Sequence, residues 1–364
     1  VSLRVAIFRE KLLPYSETFI PAQASALQRY TPILVGLKRE PRTPSLSIPT
    51  QVLSDEAGYS KVQTLQLYLG QAPQPWVQAL RQQNLALMHA HFGVDGVWSL
   101  PLARALNIPL ITTFHGYDVF ATKPFRRVYR YYQWRRPALF RQASRIIAVS
   151  NYVREGLLAL GCPPQKVVTH YIGINLKDFV PAPVEREPII LSVGRLIERK
   201  GVLDLIRVMP NVQQAIPNVR LVIIGSGELE GAARAEASRL GVRAEFLGPQ
   251  TPAQVREWMN RAAIFCLPSR LEAFGMVFAE AQTMGLPVAA YADGGVPEAV
   301  KHGETGFLTP PGDQDALTNS LITLLRDEAL RRRMGEAGRA RVQRLFEIER
   351  QTRELERLYD ACLT

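Results

Sequence analysis

Twice along this chain, short and almost wholly apolar runs alternate with amphipathic stretches of helical length. That alternation calls for parallel sheets covered by helices on both faces. In the first half the strand-like runs are 3–8, 32–37, 86–90, 109–114, 145–149 and 167–171. In the second half they are 189–193, 220–224, 244–247, 263–267, 288–291 and 306–308, with helices beginning near Gly201, Leu229, Pro252, Gly275 and Pro297. The 364 residues exceed what one core usually holds, about 250–300. The predicted fold class is therefore α/β, two doubly wound Rossmann-like domains facing an interdomain cleft. Domain 1–174 is followed by a proline-marked linker, 175–188, and by domain 189–345, and a helix at 346–364 is expected to pack back on the first domain.

In open parallel sheets ligands bind beyond the carboxyl ends of the strands, so the loops that follow strands carry the chemistry. After the run 263–267 comes Pro268-Ser-Arg-Leu-Glu-Ala-Phe-Gly-Met-Val-Phe-Ala-Glu280, which sets Glu272 and Glu280 astride a turn that opens a helix. The N–H groups of Gly275, Met276 and Val277 at that helix start favour an anion such as a diphosphate. Carboxylates only accept hydrogen bonds, so hydroxyls, as on sugars, suit the two glutamates. Three more loops fit the same pattern. Gly194-Arg-Leu-Ile-Glu-Arg-Lys200 offers Arg195 and Lys200 as a clamp for phosphate, with Gly194 letting backbone approach. Gly225-Ser-Gly227 is a permissive turn on which a base or ribose could lie. Asp293-Gly-Gly-Val-Pro-Glu298 feeds a helix that starts with proline. In the first half Thr112-Thr-Phe-His-Gly-Tyr-Asp118 places His115 and Asp118 at a strand end, and His89-Ala-His91 lies at another.

Together these motifs resemble glycosyltransferase family 4, the retaining nucleotide-sugar transferases of GT-B fold. The segments Ser16-Glu-Thr-Phe-Ile20 and His89-Ala-His-Phe-Gly93 resemble those of its bacterial exopolysaccharide and colanic-acid-type members, although many relatives carry paired glycines after the first strand. The resemblance implies that Arg195 and Lys200 bind the donor diphosphate, Glu280 the ribose and Glu272 a hydroxyl of the transferred sugar. Backbone groups of Phe274, Gly275 and Met276 would touch that sugar as well. His115 would position it, and Asp118 would orient His115 or contact the acceptor. Ser16 and Glu17 are candidate substrate contacts. The implied reaction moves a hexosyl group from a UDP- or GDP-sugar to a glycan or lipid-linked acceptor, with the leaving phosphate taking the acceptor proton. Asp118 or His115 as a base would instead serve an inverting route. A GT-B-fold epimerase and a noncatalytic nucleotide- or glycan-binding protein are the alternatives. A nicotinamide oxidoreductase would need a third glycine, which Gly225-Ser-Gly-Glu-Leu-Glu230 lacks.

No metal or other cofactor is expected. Asp313-Gln-Asp315 has an Asp-x-Asp form, yet it follows Pro-Pro-Gly and reads as a helix N-cap, and His89 and His91 lack a third ligand nearby. The three cysteines have no metal-type spacing and read as reduced thiols of a cytoplasmic protein. The first ten residues interleave charges with apolar residues, as a strand rather than a signal peptide would. The net charge of +11 is uneven, with nine cations and no acid from Val119 to Arg154. Phe125, Tyr129, Tyr131, Tyr132 and Trp134 interleave them. Two readings of 123–145 stand side by side, an interfacial helix on an anionic membrane and a solvated face whose aromatics belong to the core. Nucleic acid is not expected as a partner, since no RNA-reading motif accompanies the aromatics.

Overall fold

The computed structural model describes residues 2–12, 17–39, 47–56, 59–120, 127–182 and 184–364. Within them the chain forms two compact units, Val1–Gly173 with Ile348–Thr364, and Ile174–Glu347.

The first unit is built on a sheet of β1 (Leu3–Leu12), β2 (Tyr30–Arg39), β3 (Thr50–Val52), β4 (Leu85–His91), β5 (Leu110–Phe114), β6 (Arg145–Ala148) and β7 (Val167–Thr169). Their order is β3-β2-β1-β4-β5-β6-β7 and every pairing is parallel. The second holds β8 (Glu187–Val193), β9 (Arg220–Ile224), β10 (Ala244–Phe246), β11 (Ala262–Leu267), β12 (Val288–Tyr291) and β13 (Gly306–Thr309). Their order is β10-β9-β8-β11-β12-β13, again all parallel. Both sheets are doubly wound, as the alternation predicts.

Apolar runs become these strands because both faces of each sheet are covered. All six residues of β11 are buried. Phe265 meets Phe278 of the helix Met276–Thr283 at 5.9 Å. The next residue, Cys266, points the other way and shares a cluster with Leu205 and Met209 of the helix Val202–Ala215. In the first unit Val5, Ile7, Leu87 and Ile111 pack with Leu355 and Tyr359 of the helix Ile348–Leu363. Glu356 on that helix accepts the N–H groups of Gln28 and Arg29 at 2.8 and 2.7 Å.

Some details differ from the sequence reading. The edge strand β3 has no apolar run to announce it. Residues 175–188, expected as a linker, group with the second unit; they include the turn Leu176–Asp178 and lead directly into β8 at Glu187. The basic segment becomes the helix Arg127–Gln142, whose Tyr129 and Tyr132 are buried. Trp134, 71 % exposed, projects outward instead, and Tyr131 stacks on Trp98 at 4.9 Å. Lys123, Phe125 and Arg126 lie outside the described residues. No helix among the described residues is long and apolar enough to cross a membrane.

Each sheet contains a switch point. The chain reverses its direction of travel between β1 and β4, and between β8 and β11, and at such points adjacent loops part to leave a crevice at the carboxyl edge.

Candidate active site

At the switch point of the second unit, the loop after β8 meets the loop after β11. The N–H of Arg270 donates to the Arg199 carbonyl at 2.7 Å, and the Lys200 ammonium forms an ion pair with the Glu272 carboxylate. Both side chains are about 15 % exposed, 15 % and 16 %, so the pair faces a partly enclosed space. Arg195 is exposed and makes no ion pair among the described residues. The sequence motif thus supplies one cation already engaged by a carboxylate and one that is not.

The loop after β9 is knitted to the same wall. Leu196 N–H donates to Ser226 O and Leu229 N–H to Leu196 O, each at 2.9 Å. A Cβ on Gly225 or Gly227 would strike the carbonyl oxygen of Gly194 or Leu196. Glycine is required at those two positions by loop packing alone. At Gly194 the nearest atoms to an added Cβ are 3.8 Å away, so there the missing side chain leaves room rather than relieving a collision.

Glu272 is held from behind. Gly295 N–H donates to its carbonyl at 2.7 Å, and a Cβ on Gly294 would strike that same carbonyl. The loop ends at Phe274, buried edge-on against Phe346 at 5.0 Å, so Phe274 anchors the turn by its side chain. Gly275 then caps the helix Met276–Thr283. Phe278 N–H turns back to Gly275 O at 2.9 Å, while the N–H groups of Met276 and Val277 have no acceptor within the helix. One turn further on, burial pushes the Glu280 carboxyl up to about 7, with the guanidinium of Arg256 pulling it down. Arg256 carries no motif signal. Only the fold brings the helix Pro252–Arg261 to Glu280.

The first unit has its own cluster at the β1/β4 switch point. Arg9 is clamped by Glu17, at 2.7 and 2.8 Å, and by Asp95, and lies over the Phe92 ring at 4.4 Å. Burial lifts Asp95 to about 7 against the pull of Arg9. Glu17, predicted as a substrate contact, is thus engaged by Arg9. Ser16 lies outside the described residues. Neither Arg9 nor Asp95 was predicted, because no spacing links residues 86 positions apart.

His115 follows directly on β5, with its ring against Phe92 at 4.5 Å and Phe19 at 5.0 Å. Burial, with Arg9 and His89 adding to it, takes its pKa down to about 3. Of the two duties expected of Asp118, contact with the acceptor does not fit its burial, whereas its hydrogen bonds run to the loop of His115. Its carboxylate is 1 % exposed and accepts the backbone N–H groups of Gly93 at 2.7 Å, Gly116 at 2.9 Å and His115 at 3.1 Å. It shapes the loop that carries His115 and offers no surface to an acceptor. His89 is likewise structural, with the Tyr359 hydroxyl on Nδ1 and the Thr113 hydroxyl on Nε2, each at 2.7 Å. Asp313 is an N-cap, accepting from Ala316 N–H at 2.9 Å.

Comparison with known proteins adds to this geometry. The profile "Glycosyltransferase Family 4" matches residues 51–178, and "Glycosyl transferases group 1" matches residues 174–341. A GDP-mannose-dependent monoacylated alpha-(1-6)-phosphatidylinositol monomannoside mannosyltransferase of Corynebacterium glutamicum is 36% identical over 47% of this chain and 50% of its own length. WcaL of Escherichia coli, named for colanic acid biosynthesis, is 30% identical over 64% of this chain and 59% of its own. A phosphatidyl-myo-inositol mannosyltransferase of Mycobacterium leprae is 30% identical over 74% of this chain and 70% of its own. The chain therefore spans between half and 70% of the length of these curated relatives. Among solved structures, a sucrose-phosphate synthase of Thermosynechococcus elongatus superposes with TM-score 0.78 at 25% identity, covering 99% of both chains. Anabaena HepE in complex with UDP and glucose superposes with TM-score 0.79 at 20% identity, covering 99% of this chain and 100% of that one. The fold is GT-B.

Proposed function

This chain belongs to glycosyltransferase family 4, and we propose that it moves a hexosyl group from a UDP- or GDP-sugar to a hydroxyl of a glycan or lipid-linked acceptor, with retention at the anomeric carbon, in exopolysaccharide or cell-envelope glycan synthesis. The observation that carries this reading is the meeting of Lys200 with Glu272 at the β8/β11 switch point, beside a helix N-terminus and one turn from the half-buried Glu280. A cation, a dipole end and two carboxylates in that order match a diphosphate flanked by two polyols.

In this reading the diphosphate sits against Lys200, Arg195 and the N–H groups of Met276 and Val277. Glu280 accepts the ribose hydroxyls, Glu272 a hydroxyl of the transferred sugar, and His115 contacts a sugar hydroxyl. As the glycosidic bond to phosphate stretches, positive charge develops on the sugar ring and negative charge on the departing diphosphate. Lys200 then strengthens its hold on phosphate as the transition state is approached, which is what accelerates the step. Glu272, left with a less engaged cation, faces the electron-poor sugar. The leaving phosphate takes the acceptor proton on the same face, so no enzymic nucleophile or metal is needed.

The relatives' names support both nucleotides: a GDP-mannose-dependent transferase among the sequences and UDP complexes among the structures. Calorimetric titration with UDP, GDP, ADP and their hexose conjugates tests the reading. One nucleotide should bind at micromolar strength and lose affinity in Lys200→Met. Absence of binding by every member would overturn it.

We also place the protein on an anionic membrane surface at the cytoplasmic face. Exposed Trp134 lies on the basic helix, its neighbour Arg135 rests against Gly70, and Leu65 and Leu69 beside Gly70 are 56 % and 63 % exposed. An aromatic ring and aliphatic side chains among arginines suit the lipid–water boundary.

A further inference from the structure

Alternation along β4 puts His89 and His91 on one face, and their rings stack 4.5 Å apart. His89 is consumed by its two hydroxyl partners, whereas the Nδ1 atom of His91 lies 3.1 Å from Nε2 of His115. The other ring nitrogen of His115, Nδ1, is buried and has no hydrogen-bond partner among the described residues. Phe19 and Phe92 close on the His115 ring, and its backbone N–H is pinned by Asp118, so the ring has little freedom to turn away.

Burial keeps both imidazoles below the usual histidine range, His91 further disfavoured as a cation by His89, His115 and Arg9. Two neutral imidazoles share a hydrogen bond only when one donates its single N–H and the other accepts. Were His91 the donor, His115 would carry its proton on Nδ1, a buried N–H with no acceptor, and orphaned donors are the rarer and costlier case. With the roles reversed, Nδ1 of His115 is a bare lone pair, the less costly group to leave without a partner.

We propose that His91 is a positioning residue, accepting the Nε2–H of His115 and so fixing the plane and tautomer in which that ring meets the substrate. The inference rests on the reading of His115 as a sugar-side residue. It assigns the second histidine of the His-Ala-His motif a duty in the reaction rather than in folding or metal binding. The titratable and charged groups around the pair are His89, Arg9 and, through the backbone, Asp118.

Nitrogen-15 NMR of the full chain with labelled histidine tests it. In the wild type His115 should hold one tautomer, protonated at Nε2, from pH 5.5 to 8. In His91→Leu that fixed state should be lost, with kcat for the donor sugar down about tenfold and KM within about twofold. His91→Asn, whose amide oxygen accepts near the same point, should restore the tautomer and most of kcat. A proton on Nδ1 of His115 in the wild type overturns the proposal, and that spectrum decides even if the leucine variant fails to fold. So does a folded His91→Leu protein that keeps the tautomer or full kcat. Full turnover in His115→Ala would instead remove the reading beneath the proposal while leaving the wild-type spectrum as expected.

Discussion

Glu280 should make donor binding release a proton. The free protein holds this carboxyl at about 7, raised from 4.5 by burial and opposed by Arg256. Ribose hydroxyls donate best to the ionised form, so a bound nucleotide sugar pulls the equilibrium toward the carboxylate. A group titrating at about 7 is half protonated at pH 7, and formation of the complex there should release about half a proton. The same linkage makes the donor bind about tenfold more tightly at pH 8 than at pH 6. The phosphates of a nucleotide sugar are diesters and lack the monoester ionisation near pH 6, so the ligand adds no slope of its own. Calorimetry in two buffers of different ionisation enthalpy counts the proton directly. Glu280→Gln should release none and bind with flat pH dependence. Folding is linked with the opposite sign. A carboxyl whose folded pKa is raised contributes stability that is complete below pH 4.5 and lost as pH rises through about 7, about 3 kcal/mol for this displacement. Glu280→Gln should therefore raise the thermal midpoint at pH 8 while weakening nucleotide binding. Equal proton release by wild type and variant, or wild-type affinity that is flat from pH 6 to pH 8, would show that Glu280 does not ionise on donor binding.

Other expectations separate the remaining roles. Lys200→Met removes the partner of both Glu272 and phosphate, and kcat/KM for the donor should fall about 100- to 1000-fold, whereas Arg195→Met, exposed in the free protein, should lose donor affinity with the thermal midpoint unchanged. Asp118→Ala leaves three backbone N–H groups without their acceptor, and urea titration should show a loss of about 3 kcal/mol or more. Trp134→Ala should weaken co-sedimentation with anionic vesicles several-fold, about 1 kcal/mol, while turnover of a soluble acceptor stays the same.

Both sheets were readable from the sequence because a strand buried on two faces has to be apolar throughout, as β11 is, and because loops that follow such strands inherit a fixed place at the sheet edge. Glu272, Lys200 and the helix start at Met276 could be found by that rule alone. What escaped it has physical reasons. β3 is three residues long at a sheet edge and needs no apolar signature. Asp118 shares its spacing with a ligand-facing acid, and only the N–H groups converging on it reveal a loop-shaping role. Arg9 with Asp95, and Arg256 with Glu280, join elements distant in sequence, and no local pattern marks such pairs. The glycines of Gly225-Ser-Gly227 were visible as a turn, but the cause of their identity, the carbonyls of Gly194 and Leu196 pressed against them, belongs to another loop.

Lys200 and Glu272 are proposed to activate a nucleotide sugar with retention. Proton NMR can follow the protein with UDP- and GDP-hexoses and water as the only acceptor, reading which anomer of the free hexose appears first. For an α-linked donor, slow release of the α-hexose from one nucleotide series is expected, abolished in Lys200→Met and in Glu272→Ala. First appearance of the β-anomer, or release undiminished in both variants, contradicts it.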